Sequence, residues 1–150
     1  MTNDNEVLNR FLVEVFNKIL KAERENITKS GYEDLSIQEL HVIEAVCLGQ
    51  DEGKNTAKDI SKHLGIVPGT LTASVKILVK KGYLIRSPDK TDKRVVHIRT
   101  TGKGDRANRE HKNFHEEMVN GILQTLNSEE TEILIQTLGN IREFFKIAEK

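Results

Sequence analysis

The chain is 150 residues long, enough for one domain with a real core. With 31% charged and 37% hydrophobic residues it reads as globular rather than disordered, and no apolar run approaches the roughly 20 residues that a membrane span needs. The start Met1-Thr2-Asn3-Asp4-Asn5-Glu6 lacks the basic and apolar stretches of a secretory signal, and one cysteine forms no intramolecular disulfide, so a cytoplasmic protein without membrane attachment is expected.

The 23 basic and 23 acidic side chains cancel in total but not locally. Between Lys54 and Arg109 there are 14 Lys or Arg against 4 Asp, a net of +10, which leaves a net of −10 elsewhere. A basic centre between acidic ends suggests a central module that faces a polyanion. A solvated charged surface is the plainer alternative.

Val7, Leu8, Phe11, Leu12, Val15, Phe16, Ile19 and Leu20 recur four residues apart between polar neighbours, which predicts an amphipathic helix from about residue 5 to about residue 28. Gly31 follows in a loop. Ser36-Ile37-Gln38-Glu39 fits a capping box that opens a second helix with Leu40, Ile43, Val46 and Cys47 as its buried stripe. Gly49 and Gly53 are expected to break it. Thr56 opens a short helix with apolar positions Ala57, Ile60 and Leu64, and Gly65 stands where a left-handed cap is expected. Pro68 permits a new start, and Leu71, Val75, Leu78 and Val79 share one face as far as Gly82. Two short helices joined by a tight turn form a helix-turn-helix. From Pro68 onward the outer face of the second presents Gly69, Thr70, Thr72, Ser74 and Lys76, residues able to approach base edges and phosphates.

Tyr83–Ser87 and Val95–Thr100 are rich in β-formers and flank the charged segment Pro88–Arg94, so a β-hairpin is predicted. A hairpin in this place is a wing, whose tip residues Lys90, Lys93 and Arg94 can reach a minor groove or nearby phosphates. Lys54, Lys58 and Lys62 add backbone contacts. For His63 and His97, a phosphate contact and plain solvation explain the residues equally well.

From Gly102 a long helix carries Phe114, Met118, Ile122 and Leu126 on one stripe, with Val119 and Leu123 beside it. A last helix from near Asn127 is expected to bury Ile133, Leu134, Leu138, Ile141, Phe144 and Phe145. These helices and the first carry more apolar surface than a compact winged module uses. Helical dimerisation covers it, or a larger monomer core does. The fold class expected is mostly α, an α+β winged helix-turn-helix of about six helices with a two- or three-stranded wing. One domain spans 1–150, with about 36–101 as the DNA-binding part and about 5–30 and 102–148 as dimerisation helices.

Three strings carry a family resemblance: Leu64–Val75 with its Gly69-Thr70-Leu71-Thr72 core, the exit Lys80–Ile85, and Asp92-Lys93-Arg94 followed by a β-run and Thr100-Thr101-Gly102-Lys103-Gly104. With them the chain resembles the MarR family of winged-helix transcriptional regulators across essentially its whole length. The resemblance implies a homodimer joined by its terminal helices, with two recognition helices in successive major grooves of a pseudo-palindromic operator and wing arginines in the flanking minor grooves. By that match Arg94 is the wing residue and Asp92 orients it. Within the family, Ile37–Ile43 and Arg109–Val119 look most like the FabT-type repressors. That likeness implies repression of type II fatty-acid synthesis genes, with operator affinity raised by long-chain acyl-acyl carrier protein as corepressor. Leu12, Phe16, Met118 and Ile122, with His41, His111 and His115, are the candidate effector-pocket residues, although the same apolar residues could simply be core.

His111 and His115 are four apart and share a helical face, with Glu110 adjacent and His41 on another helix, which is metal-ligand spacing. Zinc-responsive members of the family use a comparable arrangement, so a zinc-dependent repressor with His41, Glu110, His111 and His115 as ligands is the alternative. Against it, Leu40 rather than a carboxylate stands beside His41, and only Glu33 or Asp34 is conceivable as a fourth ligand. No cofactor is the first expectation, and a response to another small ligand is the third reading. Cys47, on an apolar stripe, reads as an inert thiol. No Gly-rich phosphate loop, nucleophile–base pair or complete metal triad is present, so the chain is not expected to be an enzyme. The polar recognition helix also argues against an architectural binder held by phosphate charge alone.

Overall fold

Capping chemistry places the helix boundaries. The computed structural model describes residues 3–148, in the order α1 (Asp4–Lys29), α2 (Ile37–Glu52), α3 (Ala57–Leu64), α4 (Pro68–Lys80), β1 (Leu84–Pro88), β2 (Val96–Thr100), α5 (Gly102–Gln124) and α6 (Ser128–Ala148). Ser36 and Glu39 form the expected capping box at α2, and Thr56 and Asp59 form another at α3, so each pair satisfies two backbone amides that the helix leaves without partners. Asn127 and Glu130 exchange the same bonds before α6, at 2.8 and 3.0 Å.

Gly49 is not a break, contrary to the sequence-based expectation. The helix runs through it to Glu52, and Gly53, at φ 70°, is the left-handed cap. Gly49 is there because a Cβ would sit 2.9 Å from Ile60 Cδ1 and closer still to the Lys54 carbonyl, so its absence lets α3 approach α2.

Leu40, Ile43 and Val46 of α2 pack with Ile60 of α3, Leu71, Val75 and Leu78 of α4, and Tyr83, Leu84 and Ile98 around the hairpin. Each such aliphatic side chain contributes about 1.5–3 kcal/mol by leaving water. Cys47 lies only half-buried at the edge of this core rather than in the stripe itself. The antiparallel ladder pairs Leu84 with Thr100 and Pro88 with Val96. Each strand starts one residue later than the β-formers suggest, and Tyr83, just before β1, is fully buried. A single bridge, Thr56 to His97, and an Ile98 amide donated to the Asn55 carbonyl at 2.9 Å stand where a third strand would be.

At Gly104 a Cβ would collide with the Tyr83 carbonyl oxygen, so this glycine lets α5 start directly against the root of the wing. Gly104→Ala is expected to destabilise the fold by about 1–3 kcal/mol through overpacking, read as a lower thermal midpoint with the far-ultraviolet spectrum unchanged.

The backbone divides into two compact units, one ending at Lys112 and the other beginning at Asn113, so the boundary falls inside α5 rather than at its start. The core above belongs to the first unit. In the second, no described residue is fully buried. The expectation that the last helix buries its apolar stripe is therefore corrected: Ile133, Leu138, Phe144 and Phe145 are 55%, 55%, 64% and 58% exposed. Two helices offer too little facing surface to cover an apolar stripe on each. Leu8, Phe11, Leu12, Val15 and Phe16 on α1 are likewise exposed. Among the described residues no helix is long and apolar enough to cross a membrane.

Candidate nucleic-acid interface

The turn between α3 and α4 is pinned at both ends. Gly65 takes the left-handed conformation, at φ 67°, that a side chain would resist. The Ser61 hydroxyl donates to the Ile66 carbonyl at 2.7 Å, and the Ile66 amide donates back to the Ser61 carbonyl at 3.2 Å. Leu71, Val75 and Leu78 anchor one face of α4 in the core, which leaves Pro68, Gly69, Thr70, Thr72 and Lys76 exposed on the other, with Ser74 half-buried at the margin. The Thr72 hydroxyl donates to the Pro68 carbonyl at 2.9 Å. Its donor is thus used within the helix, although the residue is exposed. Val67, the α4 N-cap residue, is 69% exposed and makes no side-chain capping bond. Its signal in the sequence is an apolar residue where Ser, Thr, Asp or Asn is preferred.

At the hairpin tip Lys90, Lys93 and Arg94 are exposed. Asp92 holds Arg94 by accepting the Arg94 amide and Nε on Oδ1, both at 3.1 Å, and Nη2 on Oδ2 at 3.4 Å. Asp89 organises the turn before it. Its Oδ2 accepts the Thr91 amide at 3.1 Å, the Thr91 hydroxyl at 2.8 Å and the Asp92 amide at 3.1 Å. Its Oδ1 lies 2.8 Å from His97 Nε2. His97 first, then Thr91 and the backbone amides, hold the Asp89 carboxyl well below the usual carboxylate range. His97 is therefore a structural partner of the wing rather than a solvated residue. The local pattern does not single out Asp89, because His97 reaches it from the opposite strand.

A cleft of about 880 Å³ opens between α3, α4 and the wing, lined by Lys58, Ser61, Lys62, Thr72, Arg94 and Val96 among others. The three cations Lys58, Lys62 and Arg94, with one carboxylate, Asp59, around this concavity suit a sugar-phosphate backbone, while the Ser61 and Thr72 hydroxyls donate within the fold.

A second polar group lies within the first unit. Glu23 of α1 and His111 of α5 are 5% and 2% exposed. Glu23 Oε2 is 3.8 Å from His41 Nε2, Glu44 Oε2 is 2.9 Å from His111 Nε2, and the two imidazole centroids are 5.7 Å apart. The structure thus brings His41 and His111 together but turns Glu110 away, to accept the Ser30 hydroxyl at 3.4 Å. Glu23 and Glu44 take the places expected of Glu110, and nothing in the local sequence pattern marks them. His115 follows one helical turn after His111, in the second unit. Of the remaining effector-pocket residues, Leu12 and Phe16 are exposed on α1, and in the second unit Met118 is half-buried and Ile122 exposed.

Burial first, then the Asp105 charge, push the Cys47 thiol up to about 11. At pH 8, iodoacetamide should therefore alkylate native Cys47 roughly a hundredfold more slowly than the unfolded chain. Equal rates would contradict the shielding.

The MarR family pattern matches residues 35–96. The chain is 30% identical over 105 residues to the HTH-type transcriptional regulator SarZ of Staphylococcus epidermidis, over 67% of this chain and 68% of that one. It is 24% identical over 91 residues to the HTH-type transcriptional regulator YwhA of Bacillus subtilis, over 61% and 66% of the two chains. Among solved structures, Streptococcus pneumoniae FabT in complex with DNA matches with a TM-score of 0.88 and 34% identity, over 96% of this chain and 99% of that one. The S. aureus MepR–DNA complex, at 21% identity and a TM-score of 0.71 over 90% and 96% of the chains, shares the fold. The chain belongs to the MarR family and is a DNA-binding transcriptional regulator, not an enzyme.

Proposed function

We propose that this protein is a cytoplasmic repressor of type II fatty-acid synthesis genes that binds a pseudo-palindromic operator as a homodimer, and binds it more tightly when long-chain acyl-acyl carrier protein is present. The observation that carries this reading is the whole-chain likeness to FabT in complex with DNA. The exposed apolar residues of α1 and α6 support the homodimer, since a monomer in water gains nothing from leaving them uncovered. Two copies related by a two-fold axis present two α4 helices to half-sites about one helical turn of DNA apart.

A second reading, a zinc-dependent repressor, is favoured by one observation. Glu23 and His111 offer ligand atoms within 4.8 Å of one another. They are the imidazole and carboxylate donors that zinc accepts, and a bound ion would tie α1 to α5. Glu23 replaces Glu110 in the ligand set.

The test is fluorescence anisotropy of a labelled fatty-acid-synthesis promoter duplex titrated with protein in chelator, with and without long-chain acyl-acyl carrier protein. The acyl carrier is expected to lower the apparent Kd by about tenfold, an ordinary coupling energy. No response to it, with binding restored by zinc in excess of chelator, would establish the second reading instead.

A further inference from the structure

Among the described residues Arg94 is held by Asp92, and its side chain is 92% exposed. An ion pair in that setting is weak by itself, so the position of the arginine depends on what holds Asp92. Asp92 is better held. Its amide is donated to Asp89 Oδ2, and its carbonyl accepts the Val95 amide at 3.0 Å, while the Asp89 amide reaches across the loop to the Val95 carbonyl at 2.8 Å. Asp89 is tied in turn to His97, which pairs with Ser87 in the ladder and bridges to Thr56 at the cap of α3. Hydrogen bonds and the short backbone steps between them therefore connect the cap of α3 to the wing arginine: Ile98 donates to the Asn55 carbonyl beside Thr56, the neighbouring His97 meets Asp89, Asp89 accepts the Asp92 amide, and Asp92 accepts Arg94.

We propose that Asp89 and His97 are positioning residues for Arg94: the His97 imidazole, with its proton on Nε2, clamps Asp89, which holds Asp92 and through it presents the arginine at a set distance from α3. The inference rests on the reading that Arg94 enters a minor groove. Its physical content is preorganisation. A tip that samples many shapes pays the ordering cost when it meets DNA, whereas a clamped one has already met that cost on folding. Either residue then affects operator binding without touching DNA, and acts only where Arg94 acts.

An operator is first selected from a random duplex pool with the full-length protein, then prepared with A·T-rich or G·C-rich flanks. Kd is measured on both for wild type, Asp89→Ala, His97→Leu, His97→Gln, Arg94→Ala and the Asp89→Ala/Arg94→Ala double variant, with thermal midpoints alongside. Wild type is expected to favour the A·T flanks by about tenfold. Asp89→Ala and His97→Leu should lower that ratio to the Arg94→Ala value. The double variant should bind no worse than Arg94→Ala, and His97→Gln, whose amide also donates, should restore the ratio. Additive losses in the double variant, or equal losses on both flanks with the ratio kept, would overturn the proposal. An Arg94→Ala protein that keeps the wild-type ratio is a separate outcome: it refutes the minor-groove reading, and the positioning role falls with it.

Discussion

Replacing Leu138 and Phe145 together with aspartate is expected to turn a dimer into a monomer and lower operator affinity by at least about a hundredfold. In the single chain these side chains are 55% and 58% exposed on α6, so the substitution removes nothing from the core of the first unit. In a dimer it would bury carboxylates without partners, at a cost of several kcal/mol each, unless the helices separate. Separation also ends the tethering of two DNA-binding surfaces, which contributes about 10²–10⁴ in apparent affinity without any contact of its own. Light scattering after size exclusion reads the mass, and anisotropy on an operator duplex reads the affinity. The helix-turn-helix unit should keep its fold. A variant that remains dimeric and binds normally would show that α6 lies outside the interface.

Arg94→Ala is expected to weaken operator binding by about 1–3 kcal/mol, with most of the loss at sites whose flanks are A·T-rich. A narrow A·T minor groove concentrates negative potential, and an arginine inserted there gains more than one lying along an ordinary phosphate backbone. The guanidinium is free to make that move because its only hydrogen-bond partner among the described residues, Asp92, lies at the same exposed tip. Loss of one cation should also reduce the slope of log K against log salt by about 1. A uniform loss on every flank, with only the salt slope changed, would place Arg94 on the phosphates instead.

What could be read from the sequence was local. The Ser36–Glu39 box, the Thr56 start, the Gly65 turn and the Pro68 start each lie within a few residues, and short-range hydrogen bonding decides them whatever the rest of the chain does, while the Asp92–Arg94 pair is what the family resemblance implies. The apolar spacing of α4 likewise determined which of its faces stays in water, so Thr70, Thr72 and Lys76 were identifiable as outward-facing. Only the tertiary structure decided the rest, because it depends on residues that are distant in the chain. Gly49 looks like a helix stop until Lys54 and Ile60 are seen against it. Glu110 adjoins His111 in sequence, but one residue along a helix turns a side chain by about 100°, so Glu110 meets Ser30 while Glu44 reaches the imidazole. The apolar stripe of α6 has a helical period whether or not anything covers it. Periodicity records which residues share a face, and only the packing of the folded chain shows whether that face meets a partner or stays in water.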